Sequence, residues 1–128
     1  MKNSLISIDY GTRKSGLAYS VESFCFAYKT IPTHELLEKV PKWAMERKAE
    51  SIVVGMPYNI DGSMSRHGKR VLEFVRRLKA VTPLPIILHD ERLSTSEALL
   101  GFDEDGITDG DIDAEAARLI LMDFLSHK

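Results

Sequence analysis

Residues 5–31 read LISIDYGTRKSGLAYSVESFCFAYKTI, and the hydrophobic pattern of this stretch decides the fold class. Leu5 to Asp9 alternates with period two. As a strand it places Ile6, Ile8 and Tyr10 on one face and Leu5, Ser7 and Asp9 on the other. Gly11 to Gly16 is a turn, and extended character resumes from Gly16 to Val21. Phe24 to Ile31 is aromatic and β-branched enough for a third strand, so the chain opens with an antiparallel meander.

Beyond the meander the pattern changes to strand–helix alternation. Thr33 is placed to cap a helix whose apolar stripe is Leu36, Leu37, Val40, Trp43 and Ala44, and Pro41 should kink or restart it. Ser51 to Val54 is a short buried strand ending at Gly55. A loop with Pro57, Asn59, Asp61 and Gly62 leads to an amphipathic helix marked by Val71, Leu72, Val75 and Leu78. Ile86 to Asp90 is the final strand. Ser94 to Glu97 has capping-box spacing for one more helix, and a last helix runs from about Ile112 to Phe124. Three meander strands followed by alternation predict an α/β protein. Its five-stranded mixed sheet carries helices on both faces, in the order of an RNase H-like fold.

Bulk properties limit the options. A chain of 128 residues has room for one sizeable core, so a single domain over residues 1–128 is expected. With 44% hydrophobic and 28% charged residues it is an ordinary globular sequence, neither disordered nor fibrous. Net charge is −2, so any nucleic-acid binding must come from a local basic patch. The single cysteine, Cys25, has no intramolecular partner and reads as a packing residue in a reducing compartment. There is no signal-peptide pattern and no apolar run of membrane-spanning length. A cytoplasmic location without membrane association is therefore expected.

Three acids fall where chemistry is commonly built. Asp9 closes the first strand, Glu91 closes the last, and Asp113 opens the last helix in line with Ala117, Ile120 and Phe124. A carboxylate on a core-facing stripe is costly unless something compensates it. Three gathered at one sheet edge would repel one another until a divalent cation neutralised them, and hard oxygen ligands select Mg²⁺ or Mn²⁺. Taken singly, each acid also has an ordinary structural reading: Asp113 as a helix cap, Asp9 as a turn residue, Glu91 as a partner of Arg92.

Four motifs in series carry a resemblance. They are Asp9-Tyr10-Gly11-Thr12 with Gly16; Val53-Val54-Gly55-Met56-Pro57 with Asn59 and Asp61-Gly62; His89-Asp90-Glu91-Arg92-Leu93-Ser94-Thr95; and Asp113-Ala114-Glu115-Ala116-Ala117. Together they resemble the YqgF/RuvX family, whose bacterial members are described as pre-16S rRNA nucleases and as Holliday-junction-resolvase-like. The resemblance implies an RNase H-like fold and a metal-dependent nuclease, with Asp9, Glu91 and Asp113 as catalytic acids and metal ligands. It also implies Arg92 beside the site, holding a phosphate or Glu91, and Asn59 and Asp61 lining the same region. In two respects the chain departs from the family, one being a connection before the third acid that is shorter than expected. The segment from Asp103 to Asp113 has six acids and no Lys or Arg, where basic residues are usual before the third acid.

Arg13, Lys14, Arg66 and Arg70 are positioned to border the acids and hold phosphates without reading bases. Arg76, Arg77 and Lys79 read equally well as a solvated helix face. His34, His67 and His127 have no ligand spacing, and His89 reads as packing or as support for the site. The expected partner is nucleic acid, structured RNA ahead of branched DNA, with ribosomal precursor particles as its setting and a monomer or weak homodimer as its state. Two alternatives stay open: a junction resolvase using the same acids, and a non-catalytic RNA- or ribosome-binding protein on the same fold. An ATPase or kinase, suggested by the first motif alone, would need two such domains around a cleft.

Overall fold

The computed structural model describes residues 4–91 and 109–127. Its sheet is built from β1 (Ser4–Asp9), β2 (Lys14–Val21), β3 (Phe24–Pro32), β4 (Ser51–Met56) and β5 (Ile86–Asp90), in the spatial order β3-β2-β1-β4-β5. The first three strands form the antiparallel meander; β4 and β5 add in parallel to β1, making the sheet mixed. The helices are α1 (Leu36–Glu46), preceded by a 3₁₀ turn at Thr33–Glu35, α2 (Arg66–Lys79) and α3 (Asp109–Ser126). The fold is RNase H-like, as the order of elements predicts.

Strand alternation sorts the core onto two faces. Ile6, Ile8, Leu17, Ile52, Val54 and Met56 point to one side and are buried against Leu36, Val40 and Trp43 of α1 and Val71, Phe74, Val75 and Leu78 of α2. Leu5 and Val53 point to the other side and pack with Ile120 and Leu121 of α3, with Cys25 partly buried beside them. Both faces are thus covered, which is why β4 reads as an unbroken apolar run with no alternation. Among the described residues no helix is long and apolar enough to cross a membrane.

Several local expectations are corrected. Thr33 is not an N-cap. Its hydroxyl donates to the Gly11 carbonyl at 2.7 Å and lies 2.8 Å from the Ser15 hydroxyl, so a tertiary contact takes the group that would have capped α1. Pro41 does not end α1, which continues through it to Glu46. On α2 the buried phase is Val71, Phe74, Val75 and Leu78, while Leu72 is exposed. Asp113 does not open the last helix, because α3 begins a turn earlier at Asp109. The helix expected from Ser94 lies outside the described residues.

α3 crosses β1, β2 and β3 closely enough that side chains must yield. A Cβ built on Gly16 would stand 1.8 Å from the Asp113 carbonyl oxygen and 2.6 Å from the Ala114 nitrogen. Only a glycine permits this approach of helix backbone to strand backbone. One turn further on, the fully buried Ser7 hydroxyl donates to the Ala117 carbonyl at 2.7 Å, fixing the helix over β1. Because the obstacle at Gly16 is backbone, Gly16→Ala is expected to cost about 3 kcal/mol by forcing α3 off the sheet. Urea unfolding measures this; a variant within about 0.5 kcal/mol of the parent would refute the packing described.

Candidate functional site

The C-terminal ends of β1, β4 and β5 lie at one edge of the sheet, and the chain delivers its acids there. Asp9 is the last residue of β1 and pairs with Gly16 of β2. Glu91 follows β5 directly. Its carboxylate reaches back over β4: a Cβ on Gly55 would stand 2.6 Å from Glu91 Oε2. The missing side chain at Gly55 is therefore the space that Glu91 fills. Asp113 arrives from α3, placed by the Gly16 contact, with Lys14 Nζ 3.9 Å from its Oδ2.

The electrostatics follow from burial. The Asp9 carboxyl is pushed up from about 3.8 to about 8, first by loss of water, then by repulsion from Glu91 and Asp113. Glu91 is also raised by burial, and Asp90 adds repulsion, while the positive ends of His67 and His89 oppose the shift. Asp9 thus feels both other acids, and the three make one electrostatic cluster. Among the described residues no three Asp, Glu, His or Cys side chains already stand as a ligand set around one point. The donor chemistry nonetheless fits a hard divalent cation: carboxylate oxygens, partly desolvated, one of them pushed toward its protonated form by burial first and by its neighbours second.

Two histidines support this edge. His89 lies in β5 opposite Gly55, hydrogen-bonded through Nε2 to Asp123 of α3 at 2.5 Å and packed edge-on against Phe124. It ties the last strand to the last helix, in keeping with a supporting role. His67, which the sequence gave no reason to single out, donates from Nε2 to the Tyr10 carbonyl at 2.9 Å and bears on Glu91. Topology alone holds the signal for it. β4 is parallel to β5, so the helix between them must start at the edge where β4 ends, and His67 is the second residue of that helix.

The proposed phosphate-binding residues divide. Lys14 is at the site, paired with Asp113. Arg13 is exposed in the turn after β1, and Arg66 and Arg70 are exposed in the first turns of α2, all near the same edge. None of these three arginines has an ion-pair partner among the described residues. Asn59 is engaged within its own loop: its amide donates to the Ser63 hydroxyl, and Asp61 accepts from the Ser63 backbone and side chain. That is turn chemistry around Gly62. Arg92, Ser94, Thr95 and residues 103–108 of the acidic run lie outside the described residues.

The raised Asp9 carboxyl has a consequence for stability with a definite sign. Between about pH 4 and pH 8 the folded chain keeps a proton that the unfolded chain releases, so folding is progressively disfavoured as pH rises through that window. Asparagine cannot ionise and escapes this loss. In chelator-treated protein, Asp9→Asn is expected to match the parent near about pH 4 and to become increasingly more stable than it as pH rises toward about 8.5. Thermal unfolding across pH tests this; a variant weaker than the parent at every pH would contradict the buried, repelled carboxyl.

Comparison with known proteins bears on the fold and the family. Thermus thermophilus RuvC, solved in complex with a Holliday junction substrate, superposes with a TM-score of 0.62, covering 97% of this chain and 94% of that one. At 12% identity the likeness is one of fold. Among curated sequences, a Sodalis glossinidius protein is 35% identical over 134 residues, covering 97% of this chain and 94% of its own. A Bacteroides fragilis protein is 30% identical over 133 residues, covering 97% and 96%. Both carry the name "Putative pre-16S rRNA nuclease". The family model described as "RuvX: Holliday junction resolvase" matches residues 3–127. With that span and those identities, the chain belongs to the RuvX family.

Proposed function

We propose that this chain is a metal-dependent endonuclease that hydrolyses phosphodiester bonds in structured RNA, acting on the 5′ end of pre-16S rRNA during ribosome biogenesis. The observation that carries the reading is the convergence of Asp9, Glu91 and Asp113 on one strand edge, where burial and mutual repulsion hold a proton on Asp9. A cluster that cannot ionise fully by itself is one that a cation completes. The names of its relatives and family support a nucleic-acid phosphodiester as the substrate.

Asp9, Glu91 and Asp113 would hold Mg²⁺ or Mn²⁺. When bound, such an ion supplies charge for the developing oxyanion and lowers the pKa of a coordinated water. The protein's own groups do the rest. To hold such an ion Asp9 would have to give up its proton, so binding would be favoured by rising pH. Lys14, 3.9 Å from Asp113, offsets the acid charge on the β2 side and is available to a substrate phosphate. Arg13, Arg66 and Arg70 supply further positive charge along the edge without selecting a sequence. The His67–Tyr10 and His89–Asp123 hydrogen bonds hold the strand ends that carry Asp9 and Glu91.

A second reading, cleavage of branched DNA, is favoured by the description of the family as a Holliday junction resolvase. It uses the same acids and requires in addition a dimer with two sites on opposite strands. Parallel assays of a 5′-extended 16S rRNA precursor and a four-way DNA junction, each with Mg²⁺ or Mn²⁺, separate the two. Cleavage of the RNA precursor is expected, absent in EDTA and reduced at least about 100-fold by Asp9→Asn. Preferential cutting of the junction would establish the second reading. Undiminished RNA cleavage by Asp9→Asn would remove the acid cluster from the chemistry.

A further inference from the structure

A cavity of about 580 Å³ opens beside the acid edge, on the α1/α2 side of the sheet. Its size falls within the roughly 300–1,000 Å³ usual for sites that enclose one small organic group. Aromatic rings wall it: Tyr10, whose ring centroid lies 5.0 Å from that of the buried Phe74, with Leu37 of α1 also lining the space. Lys69 and Arg70 from α2 line it as well, and neither has an ion-pair partner among the described residues. Glu73 and Arg77 line it too, and the Glu73 carboxylate is held by Arg76 and Arg77 of the same helix. With Glu73 engaged by arginines, the cavity joins a π-face and apolar walls to a net excess of positive charge from Lys69 and Arg70.

Its location follows from strand alternation. Asp9 and Tyr10 are consecutive, with Cα atoms ~3.8 Å apart, and their side chains leave β1 on opposite faces. Asp9 turns toward α3, Glu91 and Asp113, whereas Tyr10 turns toward Phe74 and the cavity. A polynucleotide with a phosphate at the acids has its adjoining nucleotide within reach of the space behind Tyr10. A base enters such a cavity only when unpaired, since in a duplex it is stacked and its faces are covered. Stacking on an aromatic ring with cations on the flanking phosphate is the general chemistry of single-strand binding.

We propose that this cavity receives one unpaired nucleotide of the RNA strand, its base against Tyr10 and its phosphate on Lys69 and Arg70. The inference rests on the nuclease reading for the identity of the strand. Its test measures binding without cleavage, so the two stand or fall separately.

Full-length protein in EDTA is titrated into a fluorescently labelled 12-nucleotide single-stranded RNA and into a blunt RNA duplex of the same length, with adenosine 5′-monophosphate as a competitor. A Lys69→Ala/Arg70→Ala variant removes the cavity's charge. Leu37→Trp fills the cavity and leaves the charge intact, with circular dichroism checking its fold. Lys42→Ala/Lys79→Ala makes the same charge change away from this cavity. Both cavity variants are expected to weaken single-strand binding at least about tenfold and duplex binding less than about twofold, with the control near the parent. Single-strand binding unchanged in the Lys69→Ala/Arg70→Ala variant would overturn the proposal. So would equal losses for single strand and duplex, which mark a diffuse electrostatic surface. Binding of the monophosphate with no affinity for the RNA strand would also overturn it, reassigning the cavity to a free nucleotide.

Discussion

The contact on which the rest depends is the backbone approach of α3 to Gly16. No side chain at position 16 could be accommodated, because a Cβ there would overlap the Asp113 carbonyl. The Ser7 hydroxyl, buried and bonded to the Ala117 carbonyl, then fixes the helix along its length. Both anchors lie on strands that frame Asp9: Gly16 is its cross-strand partner, and Ser7 precedes it by two residues on the same face. The spacing between Asp9 and Asp113 is thus set by backbone packing and a buried hydrogen bond, not by the acids themselves. This matters because the acids repel, and groups that repel need a frame that holds them.

The same logic governs Glu91. Its carboxylate occupies the room left by the absent side chain of Gly55, next to Ile120 of α3. Burial there raises Glu91, while His67 and His89 pull it back. The histidines are held by groups outside the cluster, Tyr10 and Asp123, so their rings stay in place whatever the charge on the acids. The site is accordingly a strained charge distribution on a stiff support. Such an arrangement gives up stability to hold buried acids close together, as the proposed cation site requires.

What the sequence disclosed follows what each interaction depends on. β5 is read to the residue, and β1 and β3 within one, because alternation, aromatic content and flanking turns are local properties. The three acids were visible because they fall at the ends of such elements. Thr33 misled because its hydroxyl is claimed by Gly11, 22 residues away, and no local rule anticipates that partner. Leu72 was read into the apolar stripe and is exposed, while Phe74, which was not, is buried in the core and packs on Tyr10. His67 was passed over because its importance is topological: it starts a crossover helix at the edge where β4 ends. Asp113 was placed at a helix start because the acidic run before it carries no apolar period; α3 begins in that run all the same.

The alternation of β1 has a consequence at its last turn. A strand distributes successive side chains to opposite faces, and at residues 9 and 10 this separates a carboxylate from an aromatic ring. Had both pointed the same way, the ring would have excluded water and cations from the acid cluster, or the acids would have repelled the phosphate next to the ring. Splitting them across the sheet edge keeps the acid cluster on the α3 side and leaves a net excess of α2 cations, Lys69 and Arg70 beyond the Glu73 pairs, beside Tyr10. A polyanion can then be held on one face while its adjoining phosphate meets the acids on the other. The edge of the sheet, only one peptide thick, is what brings the two opposed electrostatic environments close enough for the single strand we propose to meet both.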